Sequence, residues 1–263
     1  MNVLEMSVKA ALIVGLAAIA AAILRNRSAA AENAVWRICL VAVVTLPLWA
    51  VASQLWPARE PVTPAERPGI QVHIAPVVPR LAVSVATLPA VNQVPPESPE
   101  GRDWLPILGI LGALFFLGRI GLGTLQVGRM IREAEPVGAE GRAIVRRSSR
   151  IEVPATFGAL RPIILMPLAA ADWPEEQRRV AILHETAHIR RHDWAWQMFG
   201  QMIAAVSWFN PAIWFALVAL RNSAERATDD AVVSAGVGPY AYAAQLLEIA
   251  KNLPSKQLIG ASK

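Results

Sequence analysis

The stretch 172–193, DWPEEQRRVAILHETAHIRRHD, carries an H-E-x-x-H pattern made by His184, Glu185 and His188. Residues four apart on a helix lie one above the other on one face, so both imidazoles can grip a single ion. Glu185, beside the first ligand, is placed to act as general base toward water activated at a metal. That is the chemistry of a zinc-dependent hydrolase. The one cysteine, Cys39, lies inside an apolar run, which excludes a disulfide framework and a cysteine-rich metal site. A metal must be held by His, Asp or Glu.

A catalytic zinc takes three protein ligands and keeps one position open. His192 is the nearest further histidine, but 184, 188 and 192 would stack over two turns, too long a span for one ion. Ten residues after His184, where an extended form of the pattern carries its third histidine, stands Trp194. Glu225, in RNSAERATDDAVV, is the better candidate, with Asp229 one turn later to hydrogen-bond a ligand histidine. The competing reading of Glu225 is a surface salt bridge with Arg221 or Arg226. Tyr240 and Tyr242 stand nearby as candidates to stabilise an oxyanion.

These residues need elements to hold them. Asp172 as N-cap, Pro174 in the first turn and Glu175 at capping-box spacing predict a helix from about Trp173. Residues 194–220 are apolar and long enough to cross a bilayer once, which would strand Glu225 on the far side from His184. Asn210-Pro211 breaks that run near its middle, so it reads as a helical hairpin that goes in and comes back. Ahead of the motif, IEVPATFGALRPIILMP predicts a turn and a short strand over Ile163, Ile164, Leu165 and Met166. As an edge strand it would hold a peptide substrate extended, or else merely cover the helix.

The remainder of the chain is membrane-like. Apolar residues make up 54% of the 263 and charged residues 17%, too apolar for an ordinary soluble domain. Spans are expected at about 6–24, 38–56 and 104–127. Arg25 and Arg27 follow the first run rather than precede it, so it reads as an anchored helix and not a signal peptide. Residues 57–103 hold ten of the twenty prolines and read as an extended external loop, with short strands within Ile70–Val85 and an isolated His73. Basic residues gather around Arg25, Arg27 and Arg37 and again over 129–150. By the positive-inside rule, the N-terminus is outside and the domain 128–263 lies in the cytoplasm. Arg119, inside the third span, is read as snorkelling to the headgroups. The net charge of +5 comes with no aromatic-interleaved basic patch, so nucleic-acid binding is not expected.

Taken with the apolar N-terminal runs, the segments PATFGALRPIILMP, HETAHIRRHD, WFNPAIW and ERATDDAVV resemble the BlaR/MecR-type membrane zinc metallopeptidases over roughly the whole chain. The resemblance implies a mainly α, polytopic membrane protein with three N-terminal spans and a gluzincin-like domain bearing a small strand element. It implies His184, His188 and Glu225 as zinc ligands, Glu185 as catalytic base, Asp229 orienting a ligand, and Asp193 at the end of the motif helix. It further implies one catalytic Zn2+, a multi-pass inner-membrane location, and cleavage of a cytosolic or membrane-adjacent protein such as a transcriptional repressor, an antirepressor role in signal transduction. Association as a homodimer is left open. The sequence ends at Lys263 without a penicillin-binding sensor: either it is truncated there, or it is a short member whose signal enters through the 57–103 loop or a partner. The rival of another class is a non-catalytic signalling scaffold with a structural or vacant metal site; a third reading is a quality-control protease.

Overall fold

The computed structural model describes residues 3–55 and 104–251. Expectations for 57–103, including His73 and strands within Ile70–Val85, lie outside the described residues. Among the described residues the chain is mostly helical, with seven α-helices and one four-stranded sheet. Three helices are long and apolar enough to cross a membrane: α1 (Val3–Leu24), α2 (Ala29–Leu55) and α3 (Trp104–Glu133).

Helix α2 starts nine residues before the expected span at Ile38. Ser28 caps it, its Oγ accepting from the Ala31 amide at 3.2 Å. Hydropathy hides this first part because Glu32, Asn33 and Arg37 are polar. Glu32 and Asn33 are nonetheless buried, and all three side chains are paired with other helices.

After α3 come β1 (Glu135–Glu140) and β2 (Ala143–Ser148), an antiparallel hairpin that the basic composition of this region concealed. Then follow β3 (Ala155–Phe157) and β4 (Ile163–Pro167), giving the order β1-β2-β4-β3 with β2 and β4 parallel. The strand at Ile163–Met166 is present, but it is not an edge. β4 is paired on both sides, and Ile164, Leu165 and Met166 are buried, so none of them is free to hold a substrate. The free edge on that side belongs to β3.

Helix α4 (Glu175–Arg191) carries the motif. Its N-cap is Pro174, with no side-chain cap. Asp172, expected as the cap, instead closes a short 3-10 turn over Leu168–Ala171, its amide bonded to the Ala169 carbonyl. Trp173 and the apolar face of α4 (Ala181, Ile189) pack on Ala143, Val145, Ile164 and Met166, so the sheet backs the motif helix.

Residues 194–220 form two helices. α5 (Asp193–Val206) runs out, a turn at Ser207–Asn210 reverses the chain, and α6 (Pro211–Ser234) returns. Asn210 accepts from the Ala212 amide at 3.0 Å and Pro211 opens the helix, a start that needs no donor at that position. The turn docks against the membrane-length helices, with Trp208 Nε1 donating to the Gly109 carbonyl at 3.2 Å. A side chain at position 112 would run into the Trp208 indole, so Gly112 permits this close approach. One apolar core joins α1, α2, α5 and α6 through Val14, Trp36, Leu40, Ile203, Ile213 and Leu220. α7 (Pro239–Lys251) closes over the motif helix through Tyr242.

Candidate metal centre

The return of α6 brings Glu225 to the two histidines of α4. His184 Nε2 and His188 Nε2 are 3.2 Å apart, and Glu225 Oε2 lies 3.8 Å from the first and 3.7 Å from the second. A tetrahedral zinc with bonds near 2.0–2.1 Å holds its ligand atoms about 3.3 Å apart. The three atoms therefore fit one zinc ion with little movement. Among the described residues, this is the group that could hold a metal. Glu225 makes no ion pair with Arg226, which turns instead to Glu32 of α2 at 2.7 Å. His192 takes no part: it is exposed and sits in the left-handed region (φ 56°) between α4 and α5.

The far side of each imidazole is also held. His188 Nδ1 meets Asp193 Oδ2 at 2.8 Å, with Thr228 Oγ1 at 3.3 Å. His184 Nδ1 meets the Tyr242 hydroxyl at 2.8 Å, and that hydroxyl donates to Asp229 Oδ1 at 2.7 Å. Because the one phenolic proton is given to Asp229, the Tyr242 oxygen accepts from His184. Both imidazoles thus carry a proton on Nδ1, which leaves Nε2 as the atom each would offer a metal: a lone pair on His184, and on His188 the nitrogen whose proton faces Glu225. Tyr242 is therefore a buried supporting partner of His184, and Tyr240 is 92% exposed; neither is placed as an oxyanion donor. Asp229 reaches His184 mainly through Tyr242, its direct approach being 3.6 Å.

The electrostatics follow from this packing. Burial and the neighbouring His188 push the His184 imidazole down. Burial also acts against charge on His188, but hydrogen bonds to Asp193 and Glu225 outweigh it and push it up to about 10. In the metal-free chain one proton therefore sits on His188, and the His188 imidazole in turn holds the Glu225 carboxyl below the usual range. Glu185 is buried beside them, and burial raises its carboxyl. Thr156 of β3 opposes that shift by donating to Glu185 Oε2 at 2.6 Å.

Sequence reading missed Thr156, Arg37 and the true role of Tyr242, because no local spacing ties them to the motif. Two cavities touch β3 or the residues just before it. One of about 170 Å3 is lined by Pro154, His184, Glu185 and Tyr242. The other, about 610 Å3, runs between α3, α5 and α6 past Phe157, Arg119, Trp194, Gln197 and Arg221. Arg119 thus lines this cavity as well as standing on an exposed helix face.

A metal-capable triad contributed by α4 and α6, packed among membrane-length apolar helices, is the arrangement expected of a membrane metallopeptidase. The family described as BlaR1 peptidase M56 matches residues 1–260, and the chain belongs to that family. It is 32% identical over 92 residues to the regulatory protein BlaR1 of Bacillus licheniformis, covering 35% of this chain and 15% of that protein. It is 28% identical over 83 residues to the methicillin resistance mecR1 protein of Staphylococcus aureus, covering 31% of this chain and 14% of the relative. The chain thus matches only about 15% of the length of these curated relatives.

Proposed function

We propose that this chain is a zinc-dependent endopeptidase of the inner membrane that cuts a cytosolic or membrane-adjacent protein, in signalling to a transcriptional repressor. The observation that carries the reading is the convergence of His184 Nε2, His188 Nε2 and Glu225 Oε2 beside a buried Glu185. Zinc held by these three would polarise a scissile carbonyl and acidify water. Glu185 then takes the proton of the attacking water and returns it to the leaving amine, with Thr156 holding one carboxylate oxygen in place. A substrate strand added to the free edge of β3 would pass Glu185 and place side chains toward the two cavities.

The bundle supports a cytoplasmic site. Asn210 at the α5–α6 turn lies within hydrogen-bonding reach of the Ser7 carbonyl, near the start of α1, whereas Glu32 and Asn33 meet the site-bearing ends of α4 and α6. Arg25 and Arg27 lie at that same site end, which the positive-inside rule assigns to the cytoplasm. α5, of 14 residues, rises about 21 Å, enough to carry the turn deep into a bilayer about 30 Å thick.

The test is zinc content of the detergent-purified chain, together with cleavage of a mixed peptide library read by mass spectrometry. About one zinc per chain is expected in wild type, lost in His188→Ala and Glu225→Ala. Glu185→Gln should keep the zinc and lose cleavage by about 10²–10⁴-fold. Zinc-loaded wild type that cuts nothing, alongside a Glu185→Gln variant that still signals in cells, would make the protein a scaffold.

A further inference from the structure

Helix α2 reaches into the metal centre through one carboxylate. Arg37 Nη2 donates to Asp193 Oδ1 at 2.5 Å, and the other oxygen of Asp193 holds His188 Nδ1 at 2.8 Å. A second line from α2 ends on the same group. Asn33 Oδ1 accepts from Arg191 Nη2 at 2.8 Å, and Arg191 Nε faces Asp193 Oδ2 at 3.3 Å. Asp193 is 5% exposed, so it is cut off from water and depends on these guanidinium groups for its charge balance. The Arg37 guanidinium is itself fixed, lying 5.4 Å over the Trp196 ring, while the Asn33 amide donates to the Leu220 carbonyl and Ser223 Oγ of α6.

We infer that Arg37, on the second membrane helix, is a positioning residue of the metal centre that sets the orientation of His188 through Asp193. This rests on the metal-centre reading above and deepens it by naming how the membrane part of the chain acts on that site. Arg37 holds the carboxylate through one Nη2–H while its planar guanidinium lies over the Trp196 indole, a stacking that a lysine ammonium does not reproduce. Displacement of α2 relative to α4 therefore reaches a metal ligand through two hydrogen bonds. This is a short physical route by which events at the membrane helices alter zinc affinity.

Zinc affinity of the full chain in detergent, measured by competition with a chromophoric chelator, tests this without requiring a substrate. Arg37→Gln is expected to weaken zinc by about 10–100-fold, as loss of an outer partner of a ligand histidine does, and Asp193→Asn by a similar factor. Arg37→Lys keeps a buried cation, so it guards against misfolding, and should restore only part of the affinity. The double variant Arg37→Gln/Asp193→Asn should bind no more weakly than Asp193→Asn alone, because both changes break one chain of contacts. Glu32→Gln, which loses an α2 ion pair that does not lead to His188, should stay within about threefold of wild type. An Arg37→Gln or Arg37→Lys chain that binds zinc as tightly as wild type overturns the inference. So does an Arg37→Gln effect that persists in the Asp193→Asn background or is matched by Glu32→Gln. Wild type that holds no zinc overturns the metal-centre reading itself, a result distinct from tight binding in both wild type and variant.

Discussion

At the scale of the residue, the proton on His188 governs how the centre meets a metal. Its ring is held at about 10, above the ordinary 6.5, so a zinc ion entering the candidate centre at neutral pH would have to displace that proton. His184 is pushed the other way and offers a free lone pair. Zinc binding should therefore release about one proton per ion near neutral pH, and affinity should rise about tenfold per pH unit between 6 and 8. Calorimetric titration in two buffers of different ionisation enthalpy reads the release; zero net release would refute the assignment. Linkage gives the opposite trend for the metal-free fold. A raised His188 stabilises it fully below about 6.5, and that contribution fades as pH climbs toward 10. The pairing of the motif histidines was legible in sequence from their spacing, whereas Glu225 was one of several readings until the fold brought its carboxylate beside them. Tyr242, Thr156 and Arg37 were not legible, because each comes from another element and only the fold brings it to the site.

At the scale of the element, the junction between α4 and α5 decides where Asp193 points. His192 takes a left-handed conformation, which ends α4 and starts α5 on a new axis, and Asp193 swings back onto His188 five residues earlier. Glycine adopts this conformation without the steric cost of a Cβ, whereas a β-branched residue meets it in full. His192→Gly should hold zinc as wild type does and unfold at equal or slightly higher denaturant. His192→Val should lose about 1–2 kcal/mol and bind zinc more weakly. Denaturant melts of the two variants check this, and equal shifts would show that the backbone at 192 is not under such strain. The sequence suggested a break at Asn210-Pro211, since proline and a capping asparagine are strong local signals. It suggested nothing at His192, since histidine, though it enters the left-handed region more often than most residues, does so too rarely to mark a break by itself. The hairpin β1–β2 was equally hidden: β1 is exposed throughout and carries no buried alternation to read.

At the scale of the whole molecule, the apparent division into membrane spans and a domain beginning at 128 does not describe the packing. Leu40 and Trp36 of α2 share a core with Ile213 and Leu220 of α6, and Val14 of α1 belongs to the same cluster. Glu32, Asn33 and Arg37 add buried polar contacts to α6, α4 and α5. Composition cannot show this, because an apolar helix facing lipid and one facing another helix have the same hydropathy. Removal of 1–127 would uncover the apolar face of α6 and leave Arg226 and Asp193 without their α2 partners. Asp193 is buried, so losing the Arg37 counter-charge destabilises the fold around it, although His188 and Arg191 remain in contact. A chain starting at 128 should therefore fail to hold zinc and should aggregate in detergent at concentrations where the full chain stays dispersed. Co-expression of that fragment with a separate 1–127 segment should restore part of the zinc binding, since the lost surface is supplied in trans. A fragment that binds zinc with the affinity of the full chain would show that α1 and α2 only anchor the protein. The dependence of the metal centre on α2 would then have to be abandoned.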